Sequence, residues 1–129
     1  MHDKFTVEII SPDKSILNSE AIEVTIPSYE GQMGILKDHI PIITFLRPGI
    51  ILIQNQEQKK YFVEEGTVEF SNNKLLILTS TAKDLTKLDQ NFIEHLLNQS
   101  EKKLSDNNSS DKEKYLLTYK ISTLKEISR

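Results

Sequence analysis

Residues 27–49 read PSYEGQMGILKDHIPIITFLRPG and hold three of the four glycines and three of the four prolines of this 129-residue chain. Glycine permits backbone shapes that other residues resist, and proline fixes φ, so this concentration predicts a loop of one particular shape, with positive φ at Gly34. The stretch carries the carboxylate of Glu30, the thioether of Met33 and the imidazole of His39, but no nucleophile beside a base. We therefore interpret it as a docking surface rather than a catalytic one.

The chain changes character near residue 82. All prolines and glycines lie at or before Gly66, and the 63 residues after it contain neither. Residues 1–82 hold seven basic and eleven acidic side chains, whereas residues 83–129 hold nine and eight. We expect two domains with these bounds, and call residues 83–129 the tail.

Residues 1–82 have the pattern of short strands separated by turns. The runs are four to six residues long, alternate or are continuously apolar, and are bounded by turn-forming or polar residues; they cover 5–10, 21–26, 50–53, 60–63, 67–70 and 75–79. Residues 71–74, Ser-Asn-Asn-Lys, are expected to connect two strands as a hairpin. Many short strands at close spacing favour an antiparallel β-sandwich or a flattened barrel.

The tail has the pattern of two amphipathic helices, which makes the expected fold class α+β. The first apolar stripe has three- and four-residue spacing, with Ile93 at its edge; it comprises Leu85, Leu88, Phe92, Leu96 and Leu97. Asp84 or Thr86 is expected to cap the start of this helix.

A polar break at residues 105–110 precedes a capping box formed by Ser110 and Glu113. The second stripe then comprises Leu117, Ile121, Leu124 and Ile127. Two such helices form a helical hairpin. Its apolar face is expected to pack against the sandwich.

Composition and motifs exclude several classes of function. A net charge of −3 argues against a nucleic-acid partner, and the absence of cysteine excludes disulfides and thiolate chemistry. No targeting segment is visible, and the longest apolar runs are far shorter than the roughly 20 residues of a membrane span. His2, His39 and His95 lie in unrelated settings, so no metal site is expected. Glu64 and Glu65 are interpreted as two solvated charges on one strand, and the hydroxyls of residues 79–81 as turn chemistry.

The pattern G-Q-M-G-I-L-x-x-H-x-P at residues 31–41, followed by L-x-P-G at residues 46–49, resembles the signature region of the epsilon subunit of F-type ATP synthases. The order of a strand-rich part and a helical hairpin is similar to that family over the whole chain. The match in individual residues is concentrated in residues 27–49.

This resemblance implies a non-catalytic subunit of the rotating central stalk. The sandwich would bind the gamma subunit on one side and the polar loops of the ring of c subunits at one end. The ring-facing residues would be Tyr29, Glu30, Gly31, Gln32 and Met33. The gamma-facing residues would include Ser11, His39, Ile42 and Thr44. His39 is either such a contact or a half-buried, hydrogen-bonded histidine, and one of Met33 and Ile35 is expected to be exposed.

The resemblance also implies a movable tail, which lies folded on the sandwich or extends along gamma toward the alpha and beta subunits and impedes ATP hydrolysis. An acidic segment of beta would meet basic side chains of the second helix, unless these form a solvated face; the candidates are Lys112, Lys114, Lys120, Lys125 and Arg129. Some bacterial members bind ATP through an Ile/Leu-Asp-x-x-Arg-Ala motif. Here Leu88 and Asp89 begin it, but Phe92 and Ile93 replace Arg and Ala, so no cofactor is expected.

Two alternatives remain open at this level. One is a free-standing β-sandwich module that binds a small ligand or peptide, and the other, more remote, is a hydrolase on a sandwich scaffold. The leading interpretation places the chain at the cytoplasmic face of the bacterial inner membrane, attached only through its complex. Co-purification with a membrane ATPase distinguishes it from the first alternative.

Overall fold

A computed structural model describes residues 3–106 and 108–128. Within them, ten strands precede a 3₁₀ turn and two α-helices. The strands are β1 (Phe5–Ile10), β2 (Ser15–Ala21), β3 (Glu23–Ser28), β4 (Gly31–Leu36), β5 (Ile42–Leu46), β6 (Gly49–Gln54), β7 (Gln58–Val63), β8 (Gly66–Ser71), β9 (Lys74–Leu78) and β10 (Lys83–Asp84). The 3₁₀ turn (Leu85–Lys87) leads to α1 (Gln90–Leu104) and α2 (Asp111–Ile127). The expected α+β architecture is confirmed.

The strands form a continuous ladder that folds into two layers. Their order is β10-β7-β6-β3-β5-β8-β9-β1-β2, with β4 paired to the other edge of β3. β3 meets β5 at the single pair Ser28–Leu46, so the sheet turns there. The first layer is β4-β3-β6-β7-β10 and the second is β5-β8-β9-β1-β2. Buried side chains of both layers form one core, among them Val24, Ile35, Ile51 and Val63 from the first and Val7, Ile9, Phe70 and Ile77 from the second.

The sandwich is not antiparallel throughout, contrary to the expectation. β1 and β9 pair in parallel, with Thr6 beside Lys74 and Ile10 beside Leu78. β9 is antiparallel to β8, to which it is joined by a tight hairpin in which Asn72 and Asn73 both have positive φ and Ser71 faces Lys74. The sequence predicted this turn, but the parallel pairing of β9 with β1 is a long-range contact that local turn chemistry does not determine.

Residues 27–49 form strands and short connections rather than one long loop. β3 and β4 close as a hairpin with Ser28 opposite Gly31. Gly34 lies within β4, and the glycines with positive φ in the described chain are Gly31 and Gly66. The expectation of a special conformation at Gly34 was therefore wrong.

α1 begins later than its expected apolar stripe. Leu85 belongs to the 3₁₀ turn, which Asp84 caps, and Asp89 caps α1 by accepting from the backbone N–H of Asn91. Since the helix starts after this break, its phase is shifted: Ile93 is 4% exposed and Phe92 is 39% exposed. The predicted role of Phe92 as a buried stripe residue was wrong.

α2 begins as the sequence predicted. The Ser110 hydroxyl accepts from Glu113 N, and the Glu113 carboxylate accepts from Ser110 N. Its buried residues include Leu117, Ile121 and Leu124. Over the residues that the structure describes, neither helix is long and apolar enough to cross a membrane.

Candidate docking surfaces

The β3–β4 tip, residues 29–33, stands at one end of the first layer. Glu30 and Gln32 are exposed, and Tyr29 is half-buried. Gly31 has φ of +129°, and its carbonyl accepts from the Ser28 hydroxyl at 2.6 Å. This hydrogen bond fixes the turn, so the tip presents the polar side chains of Glu30 and Gln32 outward.

The tip also contains Met33, and the sequence led us to expect that either Met33 or Ile35 is exposed. Met33 is half-buried against the core, and Ile35 is fully buried. The expectation that one of the two is exposed was wrong, because both side chains share the inner face of β4. The apolar part of the tip thus packs on the core, with Met33 still partly accessible.

The outer patch is an apolar surface on the second layer, formed by Ile43, Phe45 and Leu78. These side chains are 75%, 56% and 45% exposed. Phe45 lies opposite Thr67, which lies opposite Leu78, so they form one row on the outer face. Large apolar side chains clustered in water mark an interaction surface.

The side chains of Ile42 and Thr44 point to the inner face of β5, away from the outer patch. Alternate residues of a strand point to opposite faces. Thr44 is 8% exposed and lies in a buried row with Val68 and Ile77, and Ile42 packs against the core. This register corrects the expectation that Thr44 is open to a partner, and it leaves Ile42 half-buried and the outer patch exposed.

Ser11 and His39 differ in their surroundings. Ser11 lines a groove of about 880 Å³ together with Phe45 and Leu78, and its hydroxyl also closes a turn by donating to Lys14 O at 3.1 Å. His39 is half-buried, its ring meets Phe70 edge-on at 5.9 Å, and its Nδ1 lies 2.7 Å from Ile40 O. Ser11 therefore borders the outer patch, whereas His39 already has contacts within the chain.

The helical hairpin packs on the outer face of the first layer. Phe62 of β7 is 1% exposed, although its neighbours Tyr61 and Val63 point into the sandwich core. A second apolar cluster covers it, with Ile93 and Leu124 buried and Leu85, Leu88, Leu96, Leu97 and Ile127 packed around them. The C-terminal half of β7 is thus buried on both faces, as the expected docking of the tail requires.

Polar and aromatic contacts join α2 to the sandwich beside this cluster. The Arg47 guanidinium lies 3.7 Å from the centre of the Tyr119 ring, and its Nη1 donates to Tyr115 Oη at 3.1 Å. Tyr115 Oη in turn donates to Tyr29 O at 3.0 Å. Sequence reasoning missed Arg47, Tyr115 and Tyr119. The available signal was the pair Tyr115 and Tyr119, which at i, i+4 spacing share one face of α2.

The sequence suggested that Glu64 is a solvated charge on a strand, but its carboxylate forms an ion pair with the tail. It lies in the turn after β7, and its carboxylate is 2.7 Å from Lys120 Nζ of α2. The turn is held by Thr81, whose Oγ1 accepts from Glu64 N at 3.0 Å, and by Thr79, whose Oγ1 donates to Glu65 O at 2.6 Å. The hydroxyl cluster therefore positions Glu64 for the tail.

The basic residues predicted for the tail do not share one setting. Lys120 is held by Glu64, and Lys125 lies 3.9 Å from Glu101 of α1. Lys112 and Lys114 are exposed, and Lys112 borders the groove of the outer patch. Arg129 lies outside the described residues. In this docked arrangement the lysines are divided between the sandwich, α1 and solvent.

Electrostatic perturbation is concentrated where β10 meets β7. Hydrogen bonds from the Thr86 hydroxyl and then from its backbone N–H lower the pKa of Asp84. Burial, followed by the charge of Asp84, raises the pKa of Tyr61. Both effects are explained by helix capping and packing. In residues 3–106 and 108–128 no group of three or more His, Asp or Glu side chains has the geometry of a metal site.

Comparison with known proteins identifies the family to which the chain is similar. Residues 4–84 match the family described as ATP synthase, Delta/Epsilon chain, beta-sandwich domain. An ATP synthase epsilon chain of Pelagibacter ubique is 45% identical, with 99% of this chain and 100% of that protein covered. The corresponding protein of Myxococcus xanthus is 32% identical over 84% of this chain and 80% of its own length.

Two solved structures share the fold. A chain of the Euglena gracilis mitochondrial ATP synthase, from an assembly of OSCP, F1 and c-ring, superposes with a TM-score of 0.82 at 19% identity, covering all of this chain and 84% of its own. A chain from the central stalk and c-ring of the Tetrahymena thermophila enzyme gives 0.69 at 16% identity, covering 96% of both. At these identities the likeness concerns the fold, and it extends beyond the sandwich to the helices.

Proposed function

Because this chain belongs to the family of ATP synthase epsilon chains, we propose that it is a non-catalytic rotor subunit that joins gamma to the ring of c subunits in a proton-translocating F-type ATP synthase. In this role it is a peripheral subunit at the cytoplasmic face of the bacterial inner membrane, held there through its partners. The tail is its regulatory part, and in its extended form it reaches the alpha and beta subunits and slows ATP hydrolysis.

The outer patch carries the proposal. Ile43 and Phe45 expose more than half of their surface, which is unfavourable by about 25 cal/mol per Å² of apolar area unless a partner covers them. Exposed acidic side chains flank the patch, with Glu69 between Ile43 and β9, and Glu65 lining the groove. We assign gamma to this surface, with an apolar contact region and basic groups at its rim. The β3–β4 tip, polar and at the end of the first layer, is assigned to the c ring.

Binding to purified gamma tests the assignment. Phe45→Asp places a charge at the centre of the apolar contact and should weaken gamma binding by at least about tenfold, as for an aromatic interface anchor. Leu36→Asp is the matched control, because Leu36 is 53% exposed but lies on β4 in the other layer. Equal binding by Phe45→Asp and the wild-type chain would remove gamma from the outer patch.

A second measurement separates the partners. Substitution of Glu30 by Lys reverses an exposed charge of the tip and leaves the outer patch unchanged. This variant should bind gamma normally and should lose affinity for the detergent-solubilised c ring. Loss of gamma binding together with ring binding would contradict the assignment of two separate surfaces.

A further inference from the structure

We infer that docking of the tail and the conformation of the β3–β4 tip are thermodynamically linked through Tyr29. The inference rests on the proposed function where it names the c ring as the partner of the tip. The contacts that carry the linkage lie within the chain. Tyr29 is thus shared by a docking surface and by the tail, and the two cannot change independently.

Tyr29 is held from two sides. Its backbone N–H donates to Phe45 O of β5 at 3.0 Å, and its carbonyl accepts from Tyr115 Oη of α2 at 3.0 Å. Its ring stacks on the Tyr115 ring, with centroids 5.9 Å apart and planes inclined by 13°. α2 therefore contacts both the main chain and the side chain of the first residue of the tip.

Tyr115 is itself fixed in place. It accepts a hydrogen bond from Arg47, and its ring meets that of Tyr119 edge-on at 5.0 Å. Arg47 follows β5, and its backbone N–H donates to Pro27 O at 2.9 Å, two residues before Tyr29. Movement of α2 away from the sandwich must therefore break both contacts to Tyr29 and leave its carbonyl without the hydroxyl.

This shared residue gives the sign of the coupling. The docked tail stabilises the tip in the conformation described here, in which Glu30 and Gln32 face outward. A partner that binds the same conformation strengthens tail docking, and the docked tail strengthens the partner's binding by the same factor. Binding of the c ring to the tip should thus hold α2 against the sandwich.

Hydrogen exchange of the isolated full-length chain tests the internal link. Tyr115→Phe keeps the ring and removes one hydroxyl, which should accelerate exchange about two- to tenfold in residues 29–31 and in the first two turns of α2. Tyr119→Phe is the matched control, since Tyr119 contacts Arg47 through its ring, and it should exchange as the wild type does. Acceleration confined to α2, or equal exchange at the tip in both variants, would overturn the inference.

A substitution in the tip tests whether the tip also affects docking of the tail. Tyr29→Ala removes the stacked ring and should accelerate exchange in the first two turns of α2, although no residue of the tail is altered. An unchanged α2 would overturn the linkage even if Tyr115→Phe behaved as expected, because a coupling free energy acts in both directions.

A third experiment measures hydrogen exchange of the chain bound to the purified, detergent-solubilised c ring. Exchange of α2 should be slower in the bound chain than in the free chain, and this difference should shrink in Tyr115→Phe. A chain that binds the ring without slower exchange in α2 contradicts the coupling. A chain that does not bind the ring contradicts the proposed function instead, while the isolated-chain measurements still decide the internal link.

Discussion

Gly66 begins β8 in a conformation that other residues adopt only with strain. Its φ is +156°, and a Cβ atom at this position would lie 2.6 Å from Leu78 O and 3.0 Å from Leu46 Cδ1. The closest atom belongs to the backbone of β9, which cannot move without disturbing the core. We expect Gly66→Ala to lower the free energy of unfolding by about 1–3 kcal/mol, measured by urea denaturation.

Gly34 is the control for this prediction. Its φ is not in the positive region, and the nearest atom to an added Cβ is Glu23 Oε2 at 3.3 Å, at the end of a flexible side chain. Gly34→Ala should therefore change stability by less than about 0.5 kcal/mol. A cost equal to that of Gly66→Ala would show that β4 is not the regular strand described here.

Asp84 provides a prediction on pH. The lowered pKa of its carboxyl means that the folded chain binds fewer protons than the unfolded chain near pH 4. Its contribution to stability is therefore complete above about pH 4 and is lost as the pH falls through the lowered folded value. Asp84→Asn should destabilise the chain at neutral pH and flatten the loss of stability on acidification, measured by urea midpoints from about pH 7 to pH 3. An unchanged slope would contradict the role of the Thr86 hydrogen bonds.

At the scale of elements, local chemistry decided what the sequence could predict. The Asn72-Asn73 turn and the Ser110 capping box depend on residues next to one another, and both formed as expected. The sequence patterns did not predict β4, because its sequence, GQMGIL, has two glycines and little β-branched character. β5 lies between Pro41 and Pro48, and prolines at both ends of a short segment indicate a loop rather than a strand.

The orientation of β5 in the sheet shows a second limit of prediction from sequence. Its sequence IITFL is almost continuously apolar, so period two alone does not say which face is buried. Pairing with β8 determines it, and that contact lies outside the range of local pattern reading. The Arg47–Tyr115 contact joins residues 68 positions apart in sequence and was equally unreadable.

The phase of α1 can be tested with two adjacent residues. Ile93 is 4% exposed in the cluster over Phe62, and Ile93→Ala should cost about 2–4 kcal/mol of stability in the docked tail. Phe92 is 39% exposed, with Lys83 Nζ 5.6 Å from its ring centre, and Phe92→Ala should cost less than about 1 kcal/mol. The resistance of the two helices to proteolysis measures the loss of tail stability in each variant. A larger loss of stability in Phe92→Ala than in Ile93→Ala would support the apolar stripe that the sequence suggested, with Phe92 buried.

At the scale of the whole molecule, the chain has two cores that share one strand. The sandwich core is closed by its own two layers, whereas the cluster over Phe62 exists only while the hairpin is docked. The outer patch belongs to the sandwich, so its binding does not require the tail. The tip is different, since Tyr29 contacts α2 directly. Loss of the tail should thus leave gamma binding intact and weaken ring binding modestly.

Removal of the tail tests this division. A chain that ends at Asp84 keeps β10 paired with β7 but exposes Phe62, so Phe62→Thr is added to it to remove the uncovered aromatic surface. The shortened chain should fold, bind gamma and assemble, and complexes rebuilt with it should hydrolyse ATP at least as fast as complexes with the wild-type chain. The full-length chain with Phe62→Thr is the decisive comparison. Its tail is present but poorly docked, so it remains available to reach the catalytic subunits and should lower the rate of ATP hydrolysis. A shortened chain that cannot assemble, or equal rates in all three complexes, would contradict a movable inhibitory tail.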